Sequence, residues 1–182
     1  MTLPVRQTAR LRRGRISIPG TRYFLTLCTQ GRESVLTAPE HAERLLAAWR
    51  VLHEAGDLTL LAATVMPDHL HALFVLGDRL PLDRVMAKYK TLARDHGRVN
   101  WRWQQNGYEH RLRENEDATD YGFYIFMNPY RAGLISLSHR WSWWLCPEPK
   151  RLPFLENLHE GIPPPEWLER VEDVASRVVS GE

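Results

Sequence analysis

Apolar positions along this chain fall into blocks that switch between two periods, and the blocks predict its elements. Residues 23–30 (YFLTLCTQ) are rich in aromatic and β-favouring side chains and read as a first strand, broken by Gly31. Thr37-Ala38-Pro39-Glu40 carries the marks of a helix start: a hydroxyl cap, a proline in the first turn and a glutamate three residues on. Leu45, Leu46, Trp49, Leu52 and His53 follow at helical spacing until Gly56-Asp57 closes the helix. Residues 58–66 (LTLLAATVM) have the short apolar character of a central strand, and Pro67-Asp68 turns the chain into a third strand over 69–76 (HLHALFVL). A second helix is predicted over 81–98, with Leu82, Val85, Met86, Tyr89, Leu92 and Ala93 on one face and Arg84, Lys88, Arg94 and Arg98 on a basic outer face. After a loop at 101–107, a short strand is expected at 108–113. A third helix follows, capped by Asn115 and stopped near Asn128 by Pro129, which has no amide proton and clashes with the preceding turn. Residues 134–155 read as irregular and Trp-rich. Beyond Pro163-Pro164-Pro165 an amphipathic helix carries Leu168, Val171, Val174, Ala175 and Val178.

The order β-α-β-β-α-β-α consists of two βαβ-like halves and predicts an α+β fold: a ferredoxin-like antiparallel sheet with helices packed on one face, plus a C-terminal helical extension. The expected organisation is an arm over 1–20, one domain over 21–145 and an extension over 146–182. The chain has 182 residues with globular proportions of 43% hydrophobic and 25% charged, so one domain suffices. No apolar run is long enough to span a membrane and no signal peptide is visible, which makes the cytoplasm the expected location. Cys28 and Cys146 are too few and too far apart for a disulfide framework or a zinc ribbon.

Charge adds a direction. The net charge is only +2, yet residues 1–32 contain seven arginines and no acid, while residues 156–182 hold seven acids against two arginines. All but Lys88, Lys90 and Lys150 of the 24 basic residues are arginine. This bias suits forked contacts to phosphate and equally reflects a GC-rich coding sequence. Arg6, Arg10, Arg12, Arg13 and Arg15 form a dense acid-free arm, the footprint expected of a nucleic-acid binder, although a presequence has a similar composition.

His69 and His71 flank Leu70 on a predicted strand, so both imidazoles project from the same face and can clamp a divalent ion between them. Two strand histidines making ordinary hydrogen bonds are the plainer reading. Tyr124 and Asn128 lie four residues apart on the third helix and share a face; a tyrosine can act as a covalent nucleophile and an amide oxygen as a metal ligand. Tyr121, Phe123, Tyr124, Ile125 and Met127 can also simply be core. Trp101, Trp103 and His110 are candidate stacking platforms for unpaired bases, or core in the case of the tryptophans. Lys90, Arg94, Arg98, Arg102, Arg111 and Arg113 are candidate phosphate contacts.

Taken together, Met66-Pro67-Asp68-His69-Leu70-His71 and the later Tyr124-Ile125-x-x-Asn128-Pro129-x-x-Ala132-Gly133-Leu134 resemble the HUH single-strand transposases, and within them the REP-associated tyrosine transposases. Tyr23-Phe24-Leu25-Thr26 resembles that family's opening strand, and Tyr108-Glu109-His110-x-x-Arg113 the segment before its tyrosine helix; the likeness spans about residues 20–145. It implies that His69 and His71, aided by Asn128, hold Mg²⁺ or Mn²⁺ and that Tyr124 attacks the scissile phosphate of single-stranded DNA, leaving a 5′-phosphotyrosine and a free 3′-hydroxyl. Tyr121, one turn earlier, is the rival nucleophile, and Asp68 is expected to shape the turn rather than bind metal. The implied partner is single-stranded or hairpin DNA, contacted by Arg10, Arg12, Arg13, Arg15, Lys90, Arg94, Trp103, His110 and Arg113, with the protein a monomer or homodimer. Two other functions fit the same residues: a hairpin-binding protein or repressor that has lost cleavage, and a metal hydrolase unrelated to DNA with His110 as third ligand.

Overall fold

Strand β1 (Arg22–Cys28) pairs antiparallel with β3 (His69–Leu76) on one side and β4 (Tyr108–Arg111) on the other, and β3 pairs in turn with β2 (Leu58–Val65). The computed structural model describes residues 17–94, 101–105 and 107–178. It adds a two-residue strand, β5 (Trp144–Leu145), outside β2, so the sheet runs β4-β1-β3-β2-β5. Helix α1 (Pro39–Glu54) joins β1 to β2, and α2 (Leu82–Leu92) lies between β3 and β4. This is the α+β, ferredoxin-like arrangement that the order of elements predicts. Helix α3 (Ala118–Arg131) and α4 (Trp167–Val178) complete the chain.

Every central strand is buried on both faces, because side chains alternate and each face has its own helical layer. Leu25, Leu27, Leu60, Leu70, Ala72 and Phe74 form a core with α1 and α2, whereas Phe24, Leu61, Ala62 and Leu73 form a second core with α3 and α4. The two crossover helices therefore share one face as expected, but helices do not keep to that face alone: α3 and α4 cover the opposite one, because the alternate residues of β1, β2 and β3 are apolar there too. An irregularity in β2 between Leu60 and Ala62 puts the adjacent Leu61 and Ala62 into the same core.

Several ends differ from those predicted. Thr37 does not cap α1; Ala38 holds that place without a side-chain bond, since Pro39 at the first helical position removes one amide that would need a partner. α2 ends at Leu92 with Ala93 as its C-cap, shorter than 81–98, and residues 95–100 lie outside the described residues. α3 is capped by Asp117, whose carboxylate accepts from the Thr119 amide at 2.8 Å, and not by Asn115.

Pro129 does not stop α3 but sits inside its last turn. A proline there removes only the bond to the carbonyl four residues back, and the helix ends two residues later at Arg131. The actual stop is Gly133 at φ 67°, whose amide donates to the Tyr130 carbonyl at 3.0 Å.

Residues 134–155 are less irregular than expected, holding β5 and the 3₁₀ turn Pro149–Arg151, with a second such turn at Pro153–Asn157. On α4 the buried stripe is Trp167, Val171, Val174, Ala175 and Val178; Leu168 falls off that stripe and is exposed. α4 packs directly on α3. The Trp167 ring meets Phe123 at 5.0 Å, Arg170 sits 4.3 Å above the Phe123 ring, and Arg131–Glu172 (3.0 Å) and Arg177–Asp120 (2.9 Å) pair across the helices. Among the described residues no helix is long and apolar enough to cross a membrane.

Candidate active site

A row of facing residues crosses the sheet beneath α3: Tyr108 on β4 opposes Thr26 on β1, Thr26 opposes His71 on β3, His71 opposes Thr64 on β2, and Thr64 opposes Trp144 on β5. Opposed residues point to the same side of a sheet, so the register alone gathers this polar row on one face. Thr26, Thr64 and His71 are buried, in strands whose other buried residues are apolar. On either side lie Cys28 opposite His69, and the apolar Phe24 opposite Leu73. Thr26 and Thr64 were missed as site residues in the sequence; a polar side chain in the middle of a buried strand was the signal available.

His71 Nδ1 lies 2.9 Å from Thr26 Oγ1, and His71 Nε2 is buried with no hydrogen-bond partner. Burial holds the imidazole pKa well below its ordinary value, reinforced by the nearby His69 and Arg32, so this ring is neutral at pH 7. In the tautomer in which Nδ1–H donates to Thr26, Nε2 carries a bare lone pair. The His69 ring stands 4.8 Å from that of His71, nearly perpendicular to it. His69 Nδ1 lies 2.6 Å from Asp68 Oδ1, and Asp68 Oδ2 accepts from Arg32 at 3.2 Å. Burial raises the Asp68 pKa, but the His69 hydrogen bond and the His69 and Arg32 charges outweigh it, so the net direction is down. Asp68 is therefore more than a turn residue by its contacts, since its carboxylate also pairs with the first histidine.

The two rival tyrosines have different surroundings. The Tyr124 ring packs edge-on against His71 at 5.5 Å and against Phe24 at 6.2 Å. Tyr121 donates its hydroxyl to Glu116 Oε1 at 2.9 Å, and its ring lies 6.0 Å from that of His110 and nearly parallel to it. Burial, then the hydrogen bond and charge of Glu116, push the Tyr121 pKa far above the usual phenol value. With its pKa raised in this way, Tyr121 is less readily ionised to the attacking phenolate than a free phenol.

Glu116 also accepts from the Arg113 amide at 2.6 Å and pairs with His110 Nε2 at 2.9 Å, tying the start of α3 to the end of β4. Asn128 keeps helical backbone despite preceding proline, so it stands one turn after Tyr124 on the same face. Its side chain is buried and its Nδ2 has no partner. Nothing at that end fixes the carboxamide, and a half-turn about its last bond presents Oδ1 instead.

The structure thus brings His69, His71 and Tyr124 together, with Asn128 one turn along α3. Lys90 and Arg94 lie on and just after α2, which packs on the opposite face of the sheet. Trp103 packs against that same opposite core, edge-on to Trp101 at 4.8 Å, and bridges to Thr29. His110 faces the α3 side, paired with Glu116, while Arg113 is exposed at the β4–α3 junction. Arg10, Arg12, Arg13 and Arg15 lie outside the described residues.

The donors suit a divalent ion. Two adjacent imidazoles, one of them neutral with an orphaned nitrogen, stand on the face toward which α3 presents an unpartnered amide. Among the described residues no three His, Cys, Asp or Glu side chains converge as a metal cage, and His110 is engaged by Glu116. His110 as third ligand of an unrelated hydrolase is therefore not supported.

Comparison with known proteins gives the same picture at the level of ancestry. A REP-associated tyrosine transposase of Escherichia coli (strain K12) is 25% identical over 170 residues, which cover 91% of this chain and 97% of the relative. A Haemophilus influenzae protein provisionally given the same name is 25% identical over 142 residues, 67% of this chain and 77% of its own. A solved structure of a REP-associated tyrosine transposase bound to a REP hairpin shares the fold, with a TM-score of 0.56 and 23% identity over 66% of this chain and 73% of that one. The family description of IS200-like transposases matches residues 17–110, from the turn before β1 into β4 and including both histidines. With more than half of its length matched in this way, the chain belongs to the IS200-like transposase family.

Proposed function

We propose that the protein cleaves and rejoins single-stranded DNA beside a hairpin, using Tyr124 as the nucleophile. The observation that carries this reading is the meeting of a helix-borne phenol with a pair of strand imidazoles: Tyr124 packs 5.5 Å from His71, and His69 packs 4.8 Å from His71. The hydroxyl oxygen of Tyr124 forms a bond to phosphorus while the bond from phosphorus to the 3′-oxygen breaks. The phenol proton leaves, and the departing oxygen gains one to become a 3′-hydroxyl. One phosphodiester replaces another, so reversal with a different 3′-hydroxyl joins strands.

A free phenol is ionised to about one part in a thousand at pH 7, a deficit of about 4 kcal/mol. His69, His71 and Asn128 would hold Mg²⁺ or Mn²⁺, which supplies Lewis-acid stabilisation of the phosphate charge and of phenolate nearby. The chain's own part is to keep His71 neutral by burial, to fix both rings through Thr26 and Asp68, and to hold Tyr124 on a helix anchored on both sides. Arg113 and the arm arginines Arg10, Arg12, Arg13 and Arg15 contact phosphates, whereas Lys90, Arg94 and Trp103 stand on the far face of the sheet and His110 is held by Glu116, so these four are not assigned to the binding surface. The names of the relatives support a REP-like hairpin as substrate.

The test is a labelled hairpin oligonucleotide with an unpaired flank, incubated with protein and Mn²⁺ and resolved under denaturing conditions. A covalent adduct is expected from the unmodified protein and from Tyr121→Phe, and none from Tyr124→Phe. Hairpin binding with no adduct from the unmodified protein would instead mark a DNA-binding protein that has lost cleavage.

A further inference from the structure

The segment after β1 is pinned to the β2–β3 turn. The Thr29 amide donates to the Asp68 carbonyl at 2.9 Å, and the Leu36 amide donates to the Pro67 carbonyl at 2.8 Å. Between these anchors Gly31 (φ 68°) and Arg32 (φ 58°) are both in the left-handed region, which an arginine rarely adopts. A non-glycine residue held there needs a reason in its surroundings. Here the kinked segment delivers the Arg32 guanidinium to Asp68 Oδ2 at 3.2 Å, while Asp68 Oδ1 engages His69 Nδ1 at 2.6 Å. Guanidinium, carboxylate and imidazole thus form a chain that ends on the first histidine of the site. Its partner His71 is fixed differently, through the Thr26 hydroxyl.

We propose that Asp68 is a positioning residue for His69, with Arg32 as its brace; this rests on His69 being a metal ligand. The carboxylate accepts from Nδ1–H, which sets the tautomer that leaves a lone pair on Nε2 and restrains the ring. Arg32 occupies the other carboxylate oxygen and keeps Asp68 from turning away. Partners of this kind typically change metal affinity 10- to 100-fold. The Arg32 contact is more exposed and contributes less.

The test measures Mn²⁺ binding to the DNA-free protein by the electron paramagnetic resonance of free Mn²⁺, alongside nitrogen-15 NMR of the histidine rings in the absence of metal. Asp68→Ala is expected to weaken Mn²⁺ binding about 10- to 100-fold and to give His69 a mixture of tautomers. Asp68→Asn, which keeps an oxygen acceptor, recovers part of the affinity, and Arg32→Ala weakens binding about two- to fivefold. Unchanged Mn²⁺ affinity and an unchanged His69 tautomer in Asp68→Ala would overturn the proposal, as would Asp68→Asn recovering nothing. If Asp68→Ala does not fold, Arg32→Ala and Asp68→Asn carry the test, and wild-type affinity with a wild-type tautomer in both overturns it. His69→Ala separates the two levels. If it too leaves Mn²⁺ binding unchanged, the metal-site reading itself has failed; if it abolishes binding while Asp68→Ala does not, only the positioning role has.

Discussion

Phe24 is the residue on which the site is built. It is fully buried, and its ring packs against His71 at 5.4 Å, Tyr121 at 5.3 Å and Tyr124 at 6.2 Å. Phe24→Ala is expected to cost about 3–5 kcal/mol in urea denaturation, the range for emptying an aromatic core position. Tyr121→Phe removes one hydrogen bond to Glu116 and should cost about 1 kcal/mol while leaving adduct formation intact. Glu116 gives a pH signature. Burial raises its pKa, but bonds from the Arg113 amide, His110 and Tyr121 outweigh this and lower it from 4.5. A depressed carboxyl stabilises the fold above its unfolded value and loses that contribution as pH falls through the folded one. Thermal melts from pH 6 to pH 3 should therefore show the advantage of the unmodified protein over Glu116→Gln shrinking below about pH 4.5. Tyr121 and Tyr124 share a face because they lie three residues apart, and in the sequence only the four-residue interval to Asn128, with the family pattern, favours Tyr124. The structure adds Glu116 at the foot of the helix as a partner of Tyr121, one that the sequence does not reveal until β4 and α3 are joined in space.

The decisive element is α3, whose residues from Tyr121 to Tyr130 are all buried. A helix apolar all round must be covered on two sides, here by the sheet and by α4. Trp167→Ala should cost about 3–5 kcal/mol by opening a cavity against Phe123 and Phe126, whereas the neighbouring Leu168→Ala should stay within about 0.5 kcal/mol; chemical denaturation of the two variants checks the contrast. The long strands and helices were legible because their apolar period repeats several times. The ends were not, since a proline in the last turn of α3 and a proline at the first position of α1 obey local rules that sequence spacing states only as tendencies. β5 was invisible because two residues cannot show an alternation, and only its pairing with Ala63 and Thr64 defines it.

At the scale of the whole molecule, the row from Tyr108 to Trp144 depends on the register of five strands, so Thr26 and Thr64 could not be assigned to the site from spacing within any one of them. The two histidines could, because a period of two acts within a single strand. Charge is also a property of the whole, with arginines gathered at the start and acids at the end. If about four to six basic residues meet phosphate, single-strand affinity should fall with salt at a log-log slope of about −3 to −4, measured by fluorescence anisotropy of a labelled oligonucleotide.

The clasp of α4 on α3 sets an order in time as well as in space. On the ribosome, Tyr124 is synthesised before the helix that covers its own helix. At about 5–20 residues per second, the nascent chain then spends seconds with that side of α3 bare. Tyr124 is thus fully seated only after translation has passed Val178, and a polypeptide stalled upstream of that point carries it on a helix with one apolar side uncovered.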